Sequence, residues 1–401
     1  TKTYGDLMTF GGTEFSTSGL KNSETATNAT ITSLGAPATA NYSSSPYVIT
    51  PSALTGGTFN TNNYSITYNT GSLTVNKAPL TVTANSYTKT YGDTMTLIGS
   101  EFSTNGLKNN ETATTATLTT LGGVSTAAYS STPYVISPSA LTGGTFNNTN
   151  YNISYVNGNL AVSKAPLLVT ANSFVKTYGD ALTLNGTEFS ASGLKNNETA
   201  TTATLTTGGA AANAAVNGSP YSITPSLLTG GTFNSNNYTI SYAAGSLIVN
   251  QAPLTISANS RTKTYGDTVT FSGSEYASTG LKNNETLGSA TIASTGASPA
   301  SSYSASPYPI SISSVTGGSI NPINSSNYAI SYINGGLTVN KANLTVTANS
   351  YAKTYGDSMT FVGSEFTTSG LKNNETVATA TLISSGSPST APYSVSPYAI
   401  T

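Results

Sequence analysis

The sequence predicts an all-β, mostly antiparallel chain built as a linear tandem array of small, β-sandwich-like domains with little or no helix. Three observations predict it. The pentapeptide KTYGD occurs five times, with its tyrosines at Tyr4, Tyr91, Tyr178, Tyr265 and Tyr355, so the steps are 87, 87, 87 and 90 residues. Self-similarity at a fixed period is the mark of a repeat architecture. The ordered stretches alternate apolar and polar residues with a period of two, as half-buried strands do, and none carries the i, i+3, i+4, i+7 apolar stripe of a helix.

Each copy can be read in order. "APLTVTANS" sets Leu80, Val82 and Ala84 on one face and Thr81 and Thr83 on the other, a strand. KTYGD follows, as Lys89, Tyr91, Gly92 and Asp93 in the second copy. A lysine, a tyrosine and an aspartate side by side could be acid/base chemistry, but five identical active sites with no oxyanion hole or cofactor loop beside them are an odd enzyme. A strand corner explains the motif better: the tyrosine packs, the glycine takes a backbone conformation other residues avoid, and the aspartate bonds its own turn. Next comes a variable Gly/Ala/Ser/Pro loop that carries Tyr42, Tyr129, Tyr303 and Tyr393, but Val216 in the third copy. The "PY" strand begins at a fixed distance of 43 residues from KTYGD, as Tyr91 to Tyr134. A short helical turn is the most that "SALTGG" could hold. In the closing segment, "NYSITY" puts Tyr64, Ile66 and Tyr68 on one face, and the Asn157-Gly158 of "NISYVNGNLAV" predicts a type I′ hairpin. The three extra residues of the fourth step fall in "GGSINPINSSNY", which reads as a surface loop.

The proline of the "AP" junctions fits a strand start, so the copies divide there and at the matching "AN" of the last junction. The expected frame is a partial copy at 1–76 without its first strand, copies at 77–163, 164–250 and 251–340 (the last with the three-residue insertion), and a partial copy at 341–401 without its closing hairpin. Linkers of two or three residues predict a semi-rigid rod. Strands of ~9 residues make a unit roughly 30 Å long and the segment on the order of 150 Å.

Composition excludes much. The chain has no Cys, His or Trp, which removes disulfides, thiolate and histidine metal sites, Cys nucleophiles and His-based triads. Charged residues are 7% of the chain and the net charge is −1. The charges follow the repeat, so there is no basic stripe for nucleic acid and no polybasic patch for a membrane surface. Lys77, Lys164 and Lys341 precede three of the four junctions, with Gln251 at the other. No apolar run reaches the length of a membrane span, and Thr1 opens no signal peptide, so the segment is expected to sit within a longer chain.

"LTVTANSYTKTYGD", "GLKNNET", the "PY" strand and the closing "NYxIxYxxGxLxV" together resemble the MBG-type repeats (YGX type) of very large bacterial surface and secreted adhesins, often found with a filamentous-haemagglutinin-like secretion domain. The resemblance runs over all 401 residues. It implies a compact, β-grasp-like domain and an extracellular or cell-surface setting. Where many members place proline after YGD, this chain has Leu7, Thr94, Ala181, Thr268 and Ser358.

The structural signature is therefore Lys89, Tyr91, Gly92, Asp93, Tyr134, Tyr151 and Tyr155, with no catalytic, cofactor or metal residue assigned. Tyr42, Tyr129 and Tyr303 are the candidate glycan contacts, because an aromatic ring on a variable loop can serve as a platform for a sugar. Calcium stays open if the fold gathers two of Asp93, Glu101 and Glu111 with Asn109 or Asn110, and Lys, Glu and Asn in each copy leave an isopeptide cross-link open. The expected function is not enzymatic: a stalk or spacer in an exported adhesin, biofilm matrix or filament. Its partners would be neighbouring copies, and beyond them host or matrix glycans bound weakly by avidity, or other chains joined by strand exchange.

Overall fold

A computed structural model describes residues 1–319 and 326–401. The "GGSINPINSSNY" insertion falls largely on 320–325, so its reading as a surface loop lies outside the described residues. Strands account for the ordered backbone, joined by short 3₁₀ turns, and there is no α-helix among the described residues. Each of the three complete copies holds two small sheets, as a β-sandwich does.

The 77–163 copy shows the plan with seven strands: β1 (Ala78–Ala84), β2 (Tyr87–Thr90), β3 (Phe102–Asn105), β4 (Thr115–Thr119), β5 (Tyr134–Thr142), β6 (Tyr151–Val156) and β7 (Gly158–Ser163). The first sheet has the order β3-β1-β6 and the second β2-β7-β5-β4. The pairs β1–β3, β5–β7 and β4–β5 are antiparallel, while β1–β6 and β2–β7 are parallel. The sheets are thus mixed, with antiparallel pairs in the majority.

The expected Asn157-Gly158 hairpin does not form. β6 and β7 lie in different sheets, so the chain crosses between sheets at this dipeptide instead of turning back. Gly158 is not left-handed, as a type I′ turn would require; a Cβ there would stand 2.5 Å from the Asn85 carbonyl oxygen. The glycine allows a close crossing of two segments of the chain. β1 and β2 likewise pass from one sheet to the other, and Tyr151 pairs with Ala78 as Leu160 pairs with Tyr87, one register along both arms. "SALTGG" is a strand end rather than a helical turn. Ala140 there has φ 45°, and the β4–β5 register shifts between Ser139 and Thr142, a bulge.

The alternation of β1 gives the expected faces: Ala78, Leu80, Val82 and Ala84 are buried, while Thr81 and Thr83 are half-buried. Complete burial of a leucine such as Leu80 stabilises by ~1.5–3 kcal/mol.

By packing, the chain forms two compact units. One comprises Thr1–Thr170, Phe189–Thr204 and Ser226–Ala243; the other comprises Ala171–Glu188, Leu205–Pro225 and Ala244–Thr401. The division falls inside the 164–250 stretch and not at a "KAP" junction. In the first unit, Tyr4, Ala40 and Val75 share a core with Ala78, Leu80, Val82, Ala116, Leu141 and Tyr151. In the second, Tyr178 and Val249 share one with Ala252, Leu254, Ile256, Ile310 and Leu337. The first core runs across the "KAP" junction at 77–79 and the second across the "QAP" junction at 251–253.

Candidate functional site: the junction between copies

The KTYGD corner is held from within its own copy. The Lys89 ammonium is buried and donates to the backbone carbonyls of Asp93 (2.8 Å) and Val124 (2.6 Å). Burial lowers its pKa below the usual lysine value, with the nearby Asp93 carboxylate opposing the shift. The Asp93 amide donates to the Thr90 carbonyl and its carboxylate accepts from the Thr90 amide, so the aspartate closes its own turn. Lys89, Tyr91 and Asp93 thus send their functional groups to separate partners.

The tyrosine faces the following copy. Tyr4 donates to Glu111 Oε1 at 2.7 Å, and Tyr151 donates to Glu111 Oε2 while accepting from the Lys108 amide at 2.8 Å. One carboxylate therefore clamps a tyrosine from each of two successive copies. The rings meet edge-on, with centroids 5.5 Å apart and planes at 78°. The same clamp joins Tyr91, Glu198 and Tyr238, and again Tyr178, Glu285 and Tyr328. Tyr265 donates to Glu375 in the same way. Tyr4, Tyr91 and Tyr178 are each 3% exposed, whereas Tyr355, which no copy follows within these residues, is 69% exposed. The tyrosine pKa values are raised at each clamp, first by burial and then by the bond to the carboxylate.

Gly92 has φ 93°, and a Cβ on it would come within 2.5 Å of Lys195 Cγ. The glycine of the motif is needed twice over, for its left-handed backbone and for the lysine stem of the next copy laid across it. The Asn preceding each closing tyrosine completes the contact. Asn150 accepts from the Tyr42 amide (2.9 Å) and donates to Asn41 Oδ1 (2.8 Å), and Asn237 and Asn327 accept in turn from the amides of Tyr129 and Val216. All three are buried, so each supplies a partner that the loop amide would otherwise lack.

Tyr42, Tyr129 and Tyr303 sit at this junction half-exposed, each with a lysine over its ring: Lys77 at 4.9 Å, Lys164 at 4.9 Å and Lys341 at 5.0 Å from the centroids. The ammonium takes up one face of each ring. Where Val216 replaces the tyrosine, Gln251 replaces the lysine and bonds the Ser326 carbonyl instead. The two exceptions in the repeat are thus one exception. The remaining signature tyrosines have local work. Tyr134 donates to the Ala128 carbonyl, and Tyr155 accepts from the Leu141 amide that the bulge has freed.

The three acids of a copy do three different jobs. Glu101 accepts from the amides of Ile98 and Gly99, Glu111 clamps the tyrosines, and Asp93 closes its turn, so the arrangement does not gather them around one ion. Among the described residues no three Asp or Glu side chains are placed to hold a metal. Reading the sequence named Glu111 only as a possible calcium ligand, and missed Glu198, Glu285 and Asn150. Their signals were the constant interval of 107 residues from Tyr4 to Glu111, and from Tyr91 to Glu198, and the paired exceptions Val216 and Gln251.

The family model described as MBG domain (YGX type) matches residues 80–161, 167–248 and 254–338. The chain belongs to this family, as three tandem copies across 80–338. A comparison with curated proteins gives no match.

Proposed function

We propose that this MBG-family repeat chain is a structural stalk, a spacer in an exported bacterial adhesin or extracellular matrix protein that holds another domain away from the cell. The observation that carries the reading is the shared core with its tyrosine–glutamate–tyrosine clamp at the junctions of successive copies. A spacer must resist bending where its units join, and a junction with a buried apolar core resists better than a bare linker of two or three residues. Low charge also suits this role, since little of the cohesion depends on salt-screened pairs: Lys282 and Asp180, at 3.8 Å, form an exposed bridge of small worth. In this reading the chain has no catalytic activity and its main partners are its own neighbouring copies.

Small-angle scattering of the chain at low and high salt tests it. A maximum dimension near the additive length of the copies, unchanged by salt, is expected; a dimension that contracts or varies with salt would overturn it. A glycan array run on the same material decides the other reading, in which the half-exposed Tyr42, Tyr129 and Tyr303 contact sugars and multiplicity supplies avidity. Reproducible binding lost on changing those three tyrosines to alanine would establish a binding array in place of a spacer.

A further inference from the structure

The clamps bring phenols together in pairs, and the chain's composition gives that pairing a chemical consequence. With 25 Tyr, 3 Met and neither Cys nor Trp, tyrosine is the side chain from which a one-electron oxidant withdraws an electron most readily. A phenol loses its electron far more easily when its proton can leave at the same moment to a base already hydrogen-bonded to it. At each clamp both phenols donate to a single carboxylate, one to each oxygen. The ring centroids lie 5.5, 5.5 and 5.4 Å apart, at interplanar angles of 78°, 80° and 79°. Because the two hydroxyls converge on one carboxylate, the hydroxyl-bearing edges of both rings meet at the same group.

We propose that the pairs Tyr4–Tyr151, Tyr91–Tyr238 and Tyr178–Tyr328 are sites of oxidative tyrosine–tyrosine cross-linking, which covalently staples each copy to the next. The oxidant is hydrogen peroxide acting through a haem peroxidase. Each phenol gives one electron to the oxidant and its hydroxyl proton to the clamping glutamate, which passes it to water. The two radicals form one carbon–carbon bond between the positions ortho to their hydroxyls. The hydrogens on those two carbons then move to the oxygens, restoring both phenols. One peroxide is reduced to two waters for each link, and the chain loses two hydrogen atoms. Burial of the pairs (Tyr4 3%, Tyr151 2%) does not bar electron transfer, and it shields the radicals from other chains. The raised pKa of each tyrosine disfavours prior loss of the proton to water and leaves the glutamate as its acceptor. The proposal stands apart from the stalk reading, because it concerns the junction chemistry whatever the chain does.

The test is limited oxidation of the folded chain with peroxide and peroxidase, followed by intact mass, dityrosine fluorescence and mass-spectrometric mapping of linked peptides. The expected result is a monomer lighter by two hydrogens for each link, with links mapped to the three pairs. Tyr151→Phe should abolish the Tyr4 link and spare the other two. Glu111→Gln, which keeps a hydrogen-bond acceptor but removes the base, should slow that link at least several-fold against the two unchanged junctions in the same molecule. Links confined to exposed tyrosines such as Tyr42, Tyr129 and Tyr393, or a Tyr4–Tyr151 link formed at an undiminished rate in Glu111→Gln, would overturn the proposal. Oxidation in denaturant fixes the random pattern against which the folded one is read.

Discussion

The 77–163 copy contains two hydrophobic clusters of unequal standing. One gathers Ala78, Leu80, Val82, Ala116, Leu141 and Tyr151 with Tyr4, Ala40 and Val75 of the preceding copy. The other is Ala84, Ile136 and Leu160, lined by Tyr87, Met95, Leu97, Leu118 and Tyr134, all from the one copy. The larger core is the shared one. A copy of the sequence is thus not the unit of cohesion, which explains why the division into compact units falls inside a copy. It also assigns the clamp its place: Glu111 and its two tyrosines close the shared core.

Substitutions can break this contrast, most strongly at the centre of the shared core. Leu80→Ala in the shared core and Leu160→Ala in the private one remove the same atoms; each should destabilise by ~2–5 kcal/mol, the first by more. Denaturant titration of each variant gives the ratio, and equal losses would remove the contrast. Tyr151→Phe keeps the ring but deprives the Lys108 amide of its acceptor and Glu111 of a donor, for a loss of ~1–3 kcal/mol. Thermal unfolding reads it directly.

Alkali should act on the same place. The clamp tyrosines have folded-state pKa values above the unfolded value near 10, because burial and the carboxylate both disfavour the phenolate. The stability they contribute is full below pH ~10 and is lost as the pH rises through the folded values. Denaturation midpoints from pH 8 to 12 should fall above 10 in the parent and fall less steeply in Tyr151→Phe. A parallel decline in both would mean that the clamp is not the group titrating.

The smallest effect concerns the exceptional junction. Val216→Tyr combined with Gln251→Lys should add ~0.5–1 kcal/mol, the worth of an exposed cation–π pair, with neither change sufficient alone. A double-mutant cycle measures it.

The strands and their buried faces were legible in the sequence because alternation over five to nine residues leaves few other ways to hide Leu80 and Val82. The period was legible because duplication has kept it. The pairing was not. Asn157-Gly158 carries the composition of a tight hairpin, yet its glycine serves a close crossing, and two-residue chemistry cannot tell these apart. Nor could the role of Tyr91 be read from its neighbours. Its partners Glu198 and Tyr238 lie more than a full period downstream, so a motif read within one copy finds only half of a contact.

Coupling across a junction is the central claim, and native-state hydrogen exchange on the intact chain tests it most directly. Tyr178→Ala removes a side chain that is 3% exposed, for a loss of ~3–5 kcal/mol if its site cannot collapse. With a shared core, the amides of Ala252–Ala258, the central strand of the next copy's first sheet, lose protection together with those of Gly245–Asn250. Loss confined to residues before 251, with Ala252–Ala258 as protected as in the parent, would contradict it.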